Sequence, residues 1–257
     1  MRVSLLGLLL AASACASATG AQSDATPTDT KANDASIDGN GCATQPCSIL
    51  PQCGCGGANA CDIDISDGKG TACRSINTPG HETAACTQVY QCDEGYVCLG
   101  QGASGSCKKY CTTNADCGSP RGQCVIDLTD QNGTPIMGAP PACSSNCEPT
   151  STNSPECPST FKCNLFTTMH SGSTVRIAGC TPAGTGVQGD TCGAAPGNDA
   201  LCAKGYSCST TTSDATPKCR RICQKAASNC GAATCLSFSP PFTVGLPAPG
   251  VEYGICQ

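Results

Sequence analysis

Tryptophan is absent from this sequence, and aromatic residues together make up only 4% of its 257 positions. These side chains fill conventional cores, so their scarcity argues against one large hydrophobic core. Long apolar runs are missing as well: after residue 14 none approaches the roughly 18 residues of a spanning helix. Charge of one sign never accumulates, and the formal net charge is −5. That argues against nucleic acid as a partner and against electrostatic adhesion to anionic lipid.

Several chemical signatures are lacking too. The pattern Cys-x2-Cys does not occur, which removes the usual paired zinc ligands and a thioredoxin-like redox site. The two histidines, His81 and His170, stand alone in loop-like stretches. Asp62-x-Asp64-x-Ser66-Asp67-Gly68 faintly suggests a calcium loop. However, its glycine is seventh rather than sixth, and Cys73 occupies the place of the closing Glu, so it reads as a polar turn. No Gly-x-Ser-x-Gly elbow is present, and the acidic residues are scattered without distinguishing context. The sequence therefore predicts no catalytic residues, no metal ligands and no cofactor, and the chain is not expected to be an enzyme.

Cysteine is what the chain has in abundance, with 27 residues, and Gly, Pro, Ser and Thr fill the intervals. Such a composition predicts small loop-rich units, each too small for its own core and each stapled by disulfides in an oxidising compartment. The stretch Cys92-Asp-Glu-Gly-Tyr-Val-Cys98 returns as Cys202-Ala-Lys-Gly-Tyr-Ser-Cys208. Each copy runs on to a cysteine pair around two cations, Cys107-Lys-Lys-Tyr-Cys111 and Cys219-Arg-Arg-Ile-Cys223. Self-similarity of this kind marks a modular array.

Two spacings recur. The first, type A, covers Cys86, Cys92, Cys98 and Cys107, and again Cys192, Cys202, Cys208 and Cys219. The cluster Cys42, Cys47, Cys53, Cys55, Cys61 and Cys73 reads as a degenerate third copy with one extra pair. Type B has a longer last interval: Cys111, Cys117, Cys124, Cys143; Cys147, Cys157, Cys163, Cys180; and Cys223, Cys230, Cys235, Cys256. Each B unit is entered by a three-residue step from the preceding cysteine. The long gaps read as β-hairpins. Val125 to Thr129 leads to the turn pair Asn132-Gly133 and then to Pro135-Ile136, while Ser171-Gly172-Ser173 and a Pro/Gly loop mark the other two turns. The pairing stays open, because four cysteines allow three connectivities.

The expected fold class is therefore small and disulfide-rich: a tandem array of short β-hairpin modules, with little or no helix outside the signal peptide. The expected borders are residues 42–80 for module A0, 86–107 for A, 111–143 for B, 147–180 for B′, 192–219 for A′ and 223–256 for B″. Gly95 and Gly205 are expected to supply positive φ, and Tyr96 and Tyr206 to cover a disulfide. Lys108-Lys109 and Arg220-Arg221 read as solvated charges on short connectors.

At the N-terminus, Met1-Arg2 and the apolar Val3 to Ala12 form a signal segment, too short to span a membrane. Ala12-Ser13-Ala14-Cys15 follows. Small residues directly before a cysteine resemble the lipobox of bacterial lipoproteins, with Ala12 where Leu is usual. The resemblance implies cleavage after residue 14 and lipidation of Cys15; the alternative is ordinary secretory cleavage after Ala14 or Ala18. Parity supports lipidation, since removing Cys15 from 27 leaves an even number to pair. Residues 16–41 carry almost nothing apolar and read as a disordered tether with an rms span of about 30 Å.

Cys-x-x-Gly-Tyr-x-Cys resembles the distal half of an EGF-like module, and the clustered spacing of Cys111, Cys117 and Cys124 is similar to Dickkopf-type cysteine-rich domains. Taken as a whole, lipobox, tether and repeated cysteine modules resemble the cysteine-rich lipoproteins of the myxobacterial type. That resemblance implies display on the bacterial envelope, at the outer membrane or cell surface, with the membrane reached through a lipid anchor. The expected function is that of a structural or adhesive binding protein with a protein or glycan partner. A secreted inhibitor or effector acting on a hydrolase or neighbouring cell is the alternative. If the scaffold binds, the hairpin tips are the candidate surfaces, above all the loop from Ser239 to Pro249 with Pro240, Pro241, Phe242 and Leu246.

Overall fold

The computed structural model describes residues 3–4, 47–64, 70–76, 80–82, 84–88, 91–101, 104–129, 133–136, 138–193, 199–245 and 250–257. Cys15, the 16–41 tether, Leu246 and most of the signal segment lie outside the described residues. From the signal segment only the backbone of β1 (Val3–Ser4) is placed, parallel to Phe238 and Ser239.

Short β-branched and aromatic runs separated by Gly- and Pro-rich turns give hairpins throughout. In chain order they are β2 (Asn59–Ile63) with β3 (Thr71–Ser75), then β5 (Tyr96–Gln101) with β6 (Ser104–Lys109), joined at its edge by β4 (Ala85–Cys86). Next come β7 (Cys124–Ile126) with β8 (Ala142–Cys143), and β9 (Phe161–His170) with β10 (Ser173–Pro182). The last sheet runs β11 (Tyr206–Thr211), β12 (Asp214–Gln224), β14 (Val251–Cys256), β13 (Cys235–Val244) and β1. Among the described residues, helix is confined to short 3-10 turns, those at Asn114–Cys117 and Asp199–Leu201 and the one that takes in Gln91. The fold is the expected one, a disulfide-rich tandem of β-hairpins.

One rule generates the twelve described disulfides. In every four-cysteine unit the third and fourth cysteines face each other across the hairpin: Cys61↔Cys73, Cys98↔Cys107, Cys124↔Cys143, Cys163↔Cys180, Cys208↔Cys219 and Cys235↔Cys256. They do not bond each other. The third bonds the first, as in Cys86–Cys98, Cys111–Cys124, Cys147–Cys163, Cys192–Cys208 and Cys223–Cys235. The fourth bonds the second, as in Cys92–Cys107, Cys117–Cys143, Cys157–Cys180, Cys202–Cys219 and Cys230–Cys256. The first cluster obeys the same rule through Cys47–Cys61 and Cys55–Cys73, and Cys53 is disulfide-bonded as well. Types A and B thus share one scaffold and differ in hairpin length. All twelve described bridges join residues 12 to 26 positions apart.

The Gly-Tyr pairs behave as their chemistry demands. Gly95 (φ 78°) and Gly205 (φ 81°) turn into the hairpins, and Tyr96 and Tyr206 lie against the cystines of their own units. The carbonyls of Gly95 and Gly205 accept hydrogen bonds from the amides of Tyr110 (2.9 Å) and Ile222 (2.8 Å), the residues that open the next module.

Hydrocarbon plays a larger part than composition suggests. Several units, A and A′ among them, are centred on little more than two stacked cystines. The apolar side chains are pooled between units instead. One cluster joins Ile49 and Ile63 to Val97, Tyr110, Leu128 and Ala142 from the following modules. A second gathers Phe161 and Ala178 from B′, Ile222 from the step between A′ and B″, and Phe238, Phe242, Val244, Tyr253 and Ile255 from B″. Sulfur shapes the module, and buried hydrocarbon docks one module on the next.

Two sequence expectations are corrected here. Lys108 and Arg220 are not solvated connectors: they sit inside β6 and β12 and are buried, while their neighbours Lys109 and Arg221 face solvent. Strand alternation splits each basic pair between two faces. Phe242 is not on a binding tip either. It is buried in the larger cluster, edge-on to Phe238 (5.8 Å), with the Arg176 guanidinium 5.7 Å from its ring centroid. The strand runs past Pro240 and Pro241 with a register shift between Ser237 and Phe242, so only the two prolines stay exposed.

Candidate functional site

The pooling of side chains between modules leaves a sizeable space among the described residues. On β5 and β6, Val97 pairs with Lys108 and Leu99 with Ser106, so strand alternation sets these four on one face of module A. Opposite lies the long β9–β10 hairpin of module B′. Its Phe166 lies across Gly179, where a Cβ would stand 2.8 Å from the ring, so only glycine admits this approach. Ile126 of module B closes a third side. Ser145, in the three-residue step between B and B′, is held against β10 by its amide, which donates to the Ala178 carbonyl (3.1 Å).

These elements enclose a half-open cavity of about 150 Å³, walled mainly by Leu99, Ile126, Phe161, Phe166, Ile177 and Ala178. Ser106, Thr167, Thr168 and Thr181 also line it, and its charged group is Lys108, 5% exposed, whose Nζ donates to Ser145 Oγ. Ser145 Oγ also lies 3.3 Å from Cys180 Sγ. Among the described residues, no carboxylate lies within ion-pair distance of Lys108. Burial pulls its ammonium down from the ordinary 10.5 to about 8, and the field of Glu82 opposes this. At pH 7 about nine-tenths of such a lysine is still protonated. The pair is therefore a cation with a hydroxyl acceptor, suited to attracting an anion.

A second buried lysine makes the contrast. Lys162, at the junction of B′ and A′, is also held to about 8 by burial, but its Nζ donates to the Tyr206 carbonyl (2.6 Å) with Asp199 at 4.0 Å. That cation is a completed joint. Other polar joints are equally satisfied. Tyr110 Oη donates to Asp62 (2.6 Å), and Arg121 pairs with Glu148 while donating to Tyr253 Oη (2.8 Å).

The other sequence candidates do not assemble. His81 stacks edge-on against Tyr96, and His170 pairs with Asp127 (2.8 Å), far apart in the chain and on different modules. Asp62 is spent on Tyr110 and on the Ile63 amide, and residues 65–69 of the calcium-like stretch lie outside the described residues. Within each unit, cysteine sulfurs lie within 4.8 Å of one another because two cystines stack. As disulfides they carry no thiolate to offer a metal. The junction cavity was missed by sequence reasoning; the one signal for it was a Lys-Lys pair directly after a strand cysteine.

The dense bridging defines a disulfide-stabilised protein of extracellular type. Comparison with family models, with curated proteins and with solved structures finds no match for the chain.

Proposed function

We propose that this chain is a binding protein displayed on the bacterial envelope, lipid-anchored through Cys15, whose ligand site is assembled between modules. The observation that carries the reading is the junction cavity: three modules together build an apolar recess around a buried cation that none of them holds alone. The bridges make such a site rigid, and rigidity lowers the ordering cost of binding. The tether of residues 16–41 would hold the modules clear of the lipid surface.

Mass spectrometry of the mature N-terminus together with labelling of intact cells tests the display. A lipid-modified Cys15 on surface-labelled protein is the expected result. An unmodified start at Cys15 or Thr19 overturns the anchor. Ligand screening by two-dimensional NMR tests the binding, with shifts expected at Ser106, Ser145 and Ala178. A screen that perturbs only the hairpin turns overturns the cavity as the site.

A further inference from the structure

We infer that the cavity takes a small monocarboxylate with an apolar body of about six carbons, its carboxylate meeting Lys108 and its hydrocarbon filling the space among Leu99, Phe166 and Ile177. This deepens the reading of the chain as a binding protein and rests on it.

Three observations lead there. First, Lys108 is a buried cation with three donors, and Ser145 Oγ is the acceptor it holds among the described residues. A buried charge without a counter-ion is costly, and a carboxylate brought by a ligand removes that cost. The comparison within the same molecule is Lys162, which has Asp199 and a carbonyl and is not among the residues lining this cavity. Second, the remaining lining is mainly hydrocarbon and, Ser106, Thr167, Thr168 and Thr181 apart, offers no polar side chain beyond Lys108 and Ser145, so the ligand is amphipathic with its charged end at Lys108. A sugar or a peptide with many polar groups would leave those groups unpaired. Third, a volume of about 150 Å³ matches a benzene-sized body. Dicarboxylates are disfavoured because a second charge held inside the space would find no cation there besides Lys108. Burial holds the ammonium at about 8, so it is charged at neutral pH and gains further by pairing.

The full oxidised chain is titrated by calorimetry with hexanoate and benzoate, and in parallel with hexanol and benzamide, which match them in size but carry no charge. The expected result is saturable binding of one acid at one site, about tenfold or more tighter than its neutral match. Lys108→Met should abolish that preference, and Lys108→Arg, which keeps the charge, should retain it. Each variant's disulfide map and hairpin amide spectrum are checked first. Should Lys108→Met not fold, Leu99→Trp, which fills the space and leaves the lysine, must instead abolish binding of both acids. Equal binding of acid and neutral match overturns the carboxylate assignment while leaving the cavity as a binding site. Absence of binding by all four probes overturns both.

Discussion

If modules are shaped by sulfur and docked by hydrocarbon, then removing one docking side chain should undock them without unfolding any. Tyr253 is the place to ask. It is fully buried in the cluster that B′ and B″ share with Ile222 of the step from A′, and its hydroxyl accepts from Arg121 of module B (2.8 Å) and donates to Glu148 (3.4 Å). Burial pushes the phenol up to about 12, so it stays neutral across ordinary pH. Truncating a buried aromatic to alanine costs about 3–5 kcal/mol. Losing the hydroxyl alone, in Tyr253→Phe, costs about 1–2 kcal/mol, with Arg121 and Glu148 still paired. Against this, each bridge spanning 12 to 26 residues contributes about 3 kcal/mol in the chain-entropy model, and none is touched. Hydrogen exchange read by mass spectrometry on the oxidised protein separates the two levels. In Tyr253→Ala, protection should fall at inter-module amides such as Ile222, while the amides along β9–β10 keep theirs. If hairpin and joint protection collapse together, with the bridges intact, the division of labour between sulfur and hydrocarbon is wrong.

Four further outcomes follow from the same structure. Full reduction should abolish the fold, seen as loss of amide dispersion, because the units centred on cystine pairs have almost nothing else inside. Lys108 and Lys162 both titrate at about 8 when folded and near 10.5 when unfolded, so the unfolded chain binds more protons between those values. Stability should therefore rise with pH across that window, by up to about 3 kcal/mol for each lysine, and Lys162→Met should flatten its share in denaturant titrations. Asp62 has the opposite sign: burial raises its carboxyl, so the folded state favours the neutral acid and stability falls as pH rises above 3.8 towards the folded value. Asp62→Asn should remove that slope in melting curves while keeping a side-chain oxygen for Tyr110 Oη. Gly179→Ala should cost about 1–3 kcal/mol by pressing on the Phe166 ring, and should weaken any ligand binding in the cavity by moving its wall.

Much of the fold was legible because cysteine spacing and turn residues are local signals. Gly95 and Gly205 announce their φ, and Ser171-Gly172 sits at the turn joining β9 to β10. The pairing was not legible, since facing positions on a hairpin invite a direct bond that the structure does not make. Lys108 and Arg220 misled for a physical reason: a charge pair looks solvated until strand alternation turns one member inward. Phe242 misled because two prolines suggested a loop, whereas a register shift lets the strand carry both prolines with their side chains exposed. The cavity lies beyond any reading of single modules, because its walls come from segments up to about 80 residues apart.

The crossed connectivity has a consequence for digestion. Because the first cysteine reaches the third and the second reaches the fourth, the two covalent loops of a unit overlap. A protease that cuts once anywhere inside a unit leaves its two ends tied through at least one bridge. Only the connectors can part the chain at a single cut, and the three-residue ones bury Tyr110, Ser144, Ser145 and Ile222. Two connectors are longer, Cys73 to Cys86 and Cys180 to Cys192; a cut in the second, where Val187 is open to solvent, would part this protein into two still-bridged halves.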